Sequence, residues 1–451
     1  MDGPEFDAGP ERARALDDAD PLAALRDRFD VPDRAYMDGN SLGPISTDAR
    51  EALSRVVEQW ADLGVRGWTD AEPEWFTCGE RLGDRLAPYV GADPDEVVVA
   101  NSTTVNVHTL LGSFLDRLPG TPAPTDRARL PDGTLAGPDE AAPAVLVNDL
   151  DFPTDHYAVR AQLRQRGIDP DRKLRTVASP DGRTIPTTAV ADALARHEDV
   201  GVVFMPAVLY RSGQLLDVRR IAELAHDHGA LVGVDCAHSV GVVPHDLADA
   251  GVDFAVWCSY KYLNAGPGAT AGLYVARRHH GTTPALAGWW GHEKETQFEM
   301  RTTFTPADGA GAWQIGTVPM LSAAPLAGAL DVLDDAGIDR VREKSLSLTG
   351  YLLALVDELA AAGYEFEVGT PREPSRRGGH VAVEHPDAAR VAEALTDRGV
   401  VVDYRPPNVV RVCPAPLYTS HADVLAVART LRSVVAKERH REYDAPDGGV
   451  T

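Results

Sequence analysis

"DVRRIAELAHDHGALVGVDCAH" (residues 217–238) reads as a helix stopped by Gly229, followed by a short apolar strand that ends on Asp235. The same alternation runs through the preceding and following sequence. "EVVVAN" (96–101) leads into the helix-like "TTVNVHTLLGSFLDRL" (103–118), and "AVLVNDL" (144–150) precedes a helix near "DHYAVRAQLRQRG" (155–167). "VGVVFMPAV" (200–208), "VDFAVWCS" (252–259) and "AGLYVARR" (271–278) add further strands. Strands separated by helices predict an α/β fold: a mostly parallel sheet covered on both faces. The Pro-, Gly- and charge-rich "TPAPTDRARLPDGTLAGPDEAAP" (121–143) reads as a solvated loop.

The last third changes rhythm. "HVAVEH" (380–385), "DAARVAEALTDRG" (387–399), "VVVDYRP" (400–406), "NVVRVCPAPL" (408–417) and "HADVLAVARTLRSVVAKE" (421–438) give β-α-β-β-α, a smaller α+β layer. The expected organisation is an N-terminal helical segment over 1–70, a large α/β domain over 71–325 and a small C-terminal α+β domain over 326–451. Which of the two domains the N-terminal helices pack on is open at this level.

Charge limits the partners. The formal net charge is -24, spread along the chain, and such a surface repels nucleic acid and anionic lipid. Only five lysines stand among the 44 basic residues. An acidic, lysine-poor surface suits a salt-rich cytoplasm, where screening relieves self-repulsion. No run approaches the length of a membrane span and the acidic start is unlike a signal peptide, so a cytoplasmic location is expected. The four cysteines form no CxxC, so neither a disulfide framework nor a zinc site is indicated.

One of the scarce lysines, Lys261, follows the strand "VDFAVWCS" in "VDFAVWCSYKYLNAGPG" (252–268). Asp235 ends another strand, and Thr103 and Thr104 follow a third at the start of a helix. Ligands of open α/β sheets gather at the carboxyl ends of the strands. A carboxylate, a lysine and a hydroxyl-bearing helix N-terminus are what pyridoxal phosphate needs: a partner for its pyridine nitrogen, an amine and an anion site.

The sequence also resembles the kynureninase family of fold-type I (aspartate aminotransferase-like) pyridoxal-phosphate enzymes. The motifs that carry the resemblance are "YMDGNSLGP" (36–44), "FPTDHYA" (152–158), "VDCAHSVG" (234–241), "CSYKYLNAGPG" (258–268), "GWWGH" (288–292) and "RVCPAPLY" (411–418). The resemblance implies that Lys261 is the Schiff-base lysine and that Asp235 pairs with the pyridine nitrogen. It implies that Phe152 stacks on the cofactor ring, that Asp155 and His238 line the pocket, and that Thr103, Thr104 and Tyr260 hold the phosphate with Trp289 and Thr317 of a neighbouring subunit. The expected active unit is therefore a homodimer with shared sites. Tyr260 is the candidate proton relay, and Arg411 the cation for a substrate carboxylate, met through a two-pronged contact. Asn40 and Ser41 shape the substrate end. Trp68 and Gly316 fall where the family sets its preference between kynurenine and 3-hydroxykynurenine. The implied reaction is hydrolysis of L-kynurenine to anthranilate and L-alanine. One departure is Pro206, where some members carry a serine near the cofactor.

Other patterns carry less. "GPGATAG" (266–272) has the wrong spacing for a dinucleotide fingerprint. His226 and His228 lie two apart on one helix and are expected to be solvated, and His279 and His280 are expected at a strand end without partners. Two rivals stay open: another fold-type I enzyme such as a cysteine desulfurase, which needs a reactive cysteine on a mobile loop, and a catalytically inactive binding protein that keeps the fold.

Overall fold

The computed structural model describes residues 6–32, 35–122 and 141–444, together with the backbone of the short antiparallel strands Ala128–Arg129 and Leu135–Ala136. Apart from those two strands and its first and last few residues, the loop expected over 121–143 lies outside the described residues.

The central sheet has seven strands in the order Val97–Val99, Gly272–Val275, Phe254–Trp257, Leu231–Asp235, Val200–Pro206, Ala144–Asn148 and Leu174–Val177. All run parallel except Gly272–Val275, which is antiparallel to both neighbours. Side chains of a strand alternate between the two faces, and both faces here are apolar. Val98, Val145, Val147, Val202, Phe204, Phe254 and Val256 point to one face, where the helices Thr103–Leu115 and Pro153–Gln165 cover them. Val97, Val99, Leu146, Val203, Met205, Val232, Val234 and Trp257 point to the other, under Cys78–Val90, Thr187–Arg196, Val218–Asp227 and Met320–Ala336. A continuous β-branched run such as "VVV" at 97–99 therefore marks a strand buried on both sides.

The C-terminal part has its own core. Strands Glu367–Val368, Val381–Glu384, Val409–Val412 and Asp403–Arg405 form an antiparallel sheet in that order, packed on helices Ile338–Ala361, Ala388–Thr396 and His421–Ala436. The first residues of the chain divide between the two cores. Phe6 and Ala13, the latter on helix Pro10–Asp18, join the C-terminal core, and Ala35–Tyr36 pairs parallel with Val400–Val401. Helix Thr47–Leu63 instead lies along Met320–Ala336: the Cα of Gly328 approaches the backbone at Asp48 and Ala49. Ser46 caps that helix, its hydroxyl accepting from the Ala49 amide at 3.0 Å. Among the described residues no helix is long and apolar enough to cross a membrane, and no group of three or more His, Cys, Asp or Glu is placed to hold a metal ion.

The expectation for His279 and His280 is corrected. His279 Nε2 donates to Asp253 Oδ1 at 2.6 Å, and His280 Nε2 lies 3.2 Å from the Val275 carbonyl. Asp253 is 1% exposed and gathers His226 Nε2 at 3.0 Å, Arg278 Nη2 at 2.7 Å and the Val232 amide at 2.7 Å as well. A buried carboxylate requires donors, and the basic side chains of two separate elements and the backbone of a third supply them. Burial by itself would raise the Asp253 pKa; the bonds from His279, His226 and Val232 and the charge of Arg278 outweigh it and hold the pKa at about 2.

A depressed carboxylate stabilises the fold above its unfolded pKa of about 4 and loses that contribution as pH falls through its folded value. Asp253→Asn is therefore expected to destabilise the protein by about 2 kcal/mol at neutral pH. In urea unfolding at successive pH values, the gap between wild type and variant should close between about pH 4 and pH 2.

Candidate active site

The carboxyl ends of the parallel strands bring one group of polar side chains together. Asp235 is the last residue of Leu231–Asp235, Pro206 is its register partner on the neighbouring strand, and Lys261 follows Phe254–Trp257. Phe152 is the N-cap residue of helix Pro153–Gln165, which carries Asp155 in its first turn. Thr103 and Thr104 open the helix Thr103–Leu115, just after Asn101 in the left-handed region at φ 54°.

Lys261 Nζ donates to His238 Nε2 at 2.8 Å. Burial, followed by the charges of Lys261 and Arg411, pushes the His238 pKa well below the usual histidine range, so the ring is neutral and its proton sits on Nδ1. Asp155 and Asp235 are both buried, and each carboxyl acts on the other's ionisation. Burial and then the charge of Asp235 hold the Asp155 pKa well above the carboxylate range; burial also raises Asp235, against its bond from the Ala237 amide at 2.7 Å and the charge of Lys261. Two buried carboxyls this close disfavour double ionisation, and the pair titrates as a unit with both members held above the ordinary carboxylate range.

Tyr260 is half-buried, its ring centroid 6.0 Å from Lys261 Nζ; the neighbouring Cys258 and then burial push its pKa up. Phe152 is 45% exposed and stands edge-on to Tyr210, with ring centroids 5.3 Å apart at 85°. Thr103 is half-buried and Thr104 exposed.

A second cluster faces this one from the C-terminal part. Arg411 is 1% exposed: its Nε donates to Asp403 Oδ1 at 2.8 Å, Nη2 to the other Asp403 oxygen and to Ser41 Oγ at 2.9 Å, and Nη1 to the Tyr210 carbonyl at 2.8 Å. The two-pronged edge expected for a substrate is thus occupied by Asp403. A guanidinium buried this deeply requires a counter-charge from the protein itself. Arg405 also donates to Asp403, at 2.7 Å. Burial and the charge of Asp403 raise the pKa of neighbouring Asp38 to about 6, against Ser41, Arg411 and Arg405. Asn40 is wholly buried, with neither amide atom hydrogen-bonded.

The remaining residues of interest form a separate, more exposed group. Trp68 packs against Trp75 and Trp290, at centroid distances of 5.7 and 5.4 Å. Trp289 is 49% exposed beside Phe298. Gly316 and Thr317 are exposed, next to Ile315, whose amide donates to Asn101 Oδ1 at 3.4 Å. Asn101 ties this group to the start of the Thr103 helix.

Tyr210, His380, Asp403 and Asp38 were not singled out from sequence. All four sit at turns or strand ends whose neighbours come from distant parts of the chain, and no local pattern marks them.

The first cluster fits pyridoxal phosphate. Asp155 Oδ2 and His238 Nδ1 are buried without a hydrogen-bond partner, and a cofactor with a ring nitrogen, a ring oxygen and a phosphate supplies partners for such groups. In such a site Lys261 would be the amine, Asp235 the anion for the pyridine nitrogen, and the Thr103 helix start the anion site.

Comparisons with known proteins agree with this geometry. Residues 341–431 match the model of the kynureninase C-terminal domain. The chain is 43% identical to kynureninase of Geobacillus thermodenitrificans over 434 residues, 96% of each chain. It is 42% identical to that of Bacillus thuringiensis subsp. konkukian, over 91% of this chain and 90% of the relative, and 39% identical to that of Shouchella clausii over 96% of each. Among solved structures, a C-DES variant with glycine covalently linked to its PLP cofactor superposes with a TM-score of 0.73 at 19% identity, covering 90% of this chain and 98% of that one. The cysteine desulfurase of Thermococcus onnurineus NA1 gives 0.71 at 17% identity, over 97% and 100%; at these identities the likeness establishes the fold. The near full-length relatives establish more: the chain belongs to the kynureninase family.

Proposed function

We propose that this protein is a pyridoxal-phosphate-dependent hydrolase that cleaves the Cβ–Cγ bond of L-kynurenine, giving anthranilate and L-alanine in tryptophan catabolism. The observation that carries the reading is the pairing of Lys261 and His238 in one cluster with Asp155 and Asp235, faced by the buried cation Arg411.

Bound pyridoxal phosphate supplies an electron sink for the pair released when a bond near the substrate's α-carbon breaks. Asp235, ionised beside protonated Asp155, holds the pyridine nitrogen in its cationic form. Lys261 Nζ removes the α-proton, and His238 Nε2, 2.8 Å away, orients that amine with a neutral acceptor. Arg411 fixes the α-carboxylate through the part of its guanidinium that Asp403 leaves open, so Asp403 positions the cation. Tyr260 relays protons once water has added to the γ-carbonyl. Pro206, beside Asp235 and without an N–H or hydroxyl, leaves one fewer hydrogen bond for the cofactor.

The active unit proposed is a cytoplasmic homodimer. Trp289, Phe298, Met300 and Leu321 are 49%, 66%, 71% and 48% exposed, an apolar surface that suits a second copy and adjoins Thr317. In this arrangement Trp289, Thr317, Trp68 and Gly316 serve the partner's site. The net charge of -24 further suggests adaptation to high salt. None of the four cysteines, all buried, offers the exposed thiol that a desulfurase requires.

Incubation with L-kynurenine should release anthranilate, followed by its fluorescence, and Lys261→Ala should abolish release without changing the far-UV circular dichroism. Asp403→Asn leaves Arg411 and Arg405 without their carboxylate. It should raise KM for L-kynurenine about tenfold or more and lower stability by about 3 kcal/mol, read from steady-state kinetics and urea unfolding. Trp68 cannot accept a hydrogen bond from a 3-hydroxyl group, so kcat/KM should favour L-kynurenine over 3-hydroxy-L-kynurenine by about ten- to a hundredfold. Trp68→His should narrow that ratio in the same paired assay.

A further inference from the structure

His380 stands just before the strand Val381–Glu384 and is wholly buried, with neither ring nitrogen in a hydrogen bond. Buried polar groups left without a partner are rare in native proteins, and each calls for a reason. The surroundings of this ring supply one. Its centroid lies 5.8 Å from that of His238, in a T-shaped arrangement, and His238 holds Lys261. On another side is the Tyr210 carbonyl, which accepts from Arg411 Nη1 at 2.8 Å and faces the His380 ring without the geometry of a hydrogen bond. Strand pairing sets this placement: Ala382 is opposite Arg411, and Val381 opposite Val412.

The chain holds the ring where it is. Gly213, at φ 73°, packs against it, and a Cβ there would lie 2.6 Å from the His380 carbonyl and 3.3 Å from ring atoms Cδ2 and Nε2. Burial, then the charges of Arg411 and Lys261, push the His380 pKa well below the histidine range. The ring is neutral and offers one N–H donor and one acceptor.

We propose that His380 is a substrate-binding residue that donates a hydrogen bond to the α-carboxylate of the bound amino acid, beside Arg411. This rests on the reading above, in which the substrate amine meets the cofactor at Lys261 and its carboxylate meets Arg411. An α-amino acid carries those two groups on one carbon, so its head lies between the two cations. His380 adjoins both, through His238 on one side and the Tyr210 carbonyl on the other. Asp403 occupies one edge of Arg411, and a neutral donor next to the open side completes the carboxylate's partners without adding a further buried charge.

The experiment compares wild type, His380→Phe and His380→Gln by steady-state kinetics with L-kynurenine. Its decarboxylated amine serves as a competitive inhibitor, and melting temperatures are measured alongside. Wild-type turnover tests the functional reading independently of the inference. Expected is a rise in KM of about ten- to a hundredfold for His380→Phe, a return to within about threefold of wild type for His380→Gln, whose amide keeps a donor, and an unchanged inhibition constant for the amine in both. Active wild type with an unchanged KM in His380→Phe overturns the inference. So does an equal loss in the Gln variant at an unaltered melting temperature, which means that ring shape matters rather than donation. A parallel loss of affinity for the amine also overturns it, because the carboxylate is then not the group contacted. If His380→Phe does not fold, the Gln variant and its amine inhibition constant decide alone: a KM or an amine affinity more than about tenfold worse than wild type overturns the inference.

Discussion

The close approach of Gly43 to the loop that carries Lys261 governs the geometry of this protein. The Gly43 amide donates to the Tyr260 carbonyl at 2.8 Å, and a Cβ at Gly43 would stand 2.5 Å from the Lys261 carbonyl oxygen, so no other residue fits. A few residues earlier the same segment is woven into the C-terminal part. Ala35 and Tyr36 pair with Val400 and Val401, and the Cys413 amide donates to the Met37 carbonyl at 2.8 Å. One short stretch, Ala35 to Gly43, thereby ties the strand that bears Arg411 to the turn that bears Lys261. Ser41, within that stretch, donates to Asp403 and accepts from Arg411.

The two halves of the site solve the problem of buried charge differently. Beside Lys261, two buried carboxyls disfavour each other's ionisation, which would leave a single negative charge for a cationic ring nitrogen. Around Arg411, a full ion pair with Asp403 is extended by Arg405, Ser41 and the Tyr210 carbonyl, and Asp38 nearby titrates at about pH 6. The first arrangement tunes an acceptor and the second fixes a donor in place. The histidines between them, His238 and His380, are both kept neutral by burial. They add hydrogen-bonding capacity without further net charge in a pocket that already contains several cations.

The exposed apolar group around Trp289 and Phe298 fits the same picture. It shares the Asn101 turn with the start of the Thr103 helix. In the proposed homodimer a second copy would cover these exposed aromatic residues.

What the sequence determined by itself was local. Runs such as "VVV" and "LVGVD" with Gly229 behind a helix specify strands and helices through side-chain period and backbone freedom, and Asp235 and Lys261 stand out because strand ends are where such sheets bind ligands. The tertiary structure alone decided which distant groups meet. Asp403 reaches Arg411 because antiparallel pairing sets them in register, and His380 reaches Tyr210 and His238 because three separate loops converge there. His279, expected to stand alone, finds Asp253 across the sheet edge. Those partnerships depend on register and packing between segments tens to hundreds of residues apart. No periodicity encodes them, and they form only when the cores close and buried polar groups must find partners.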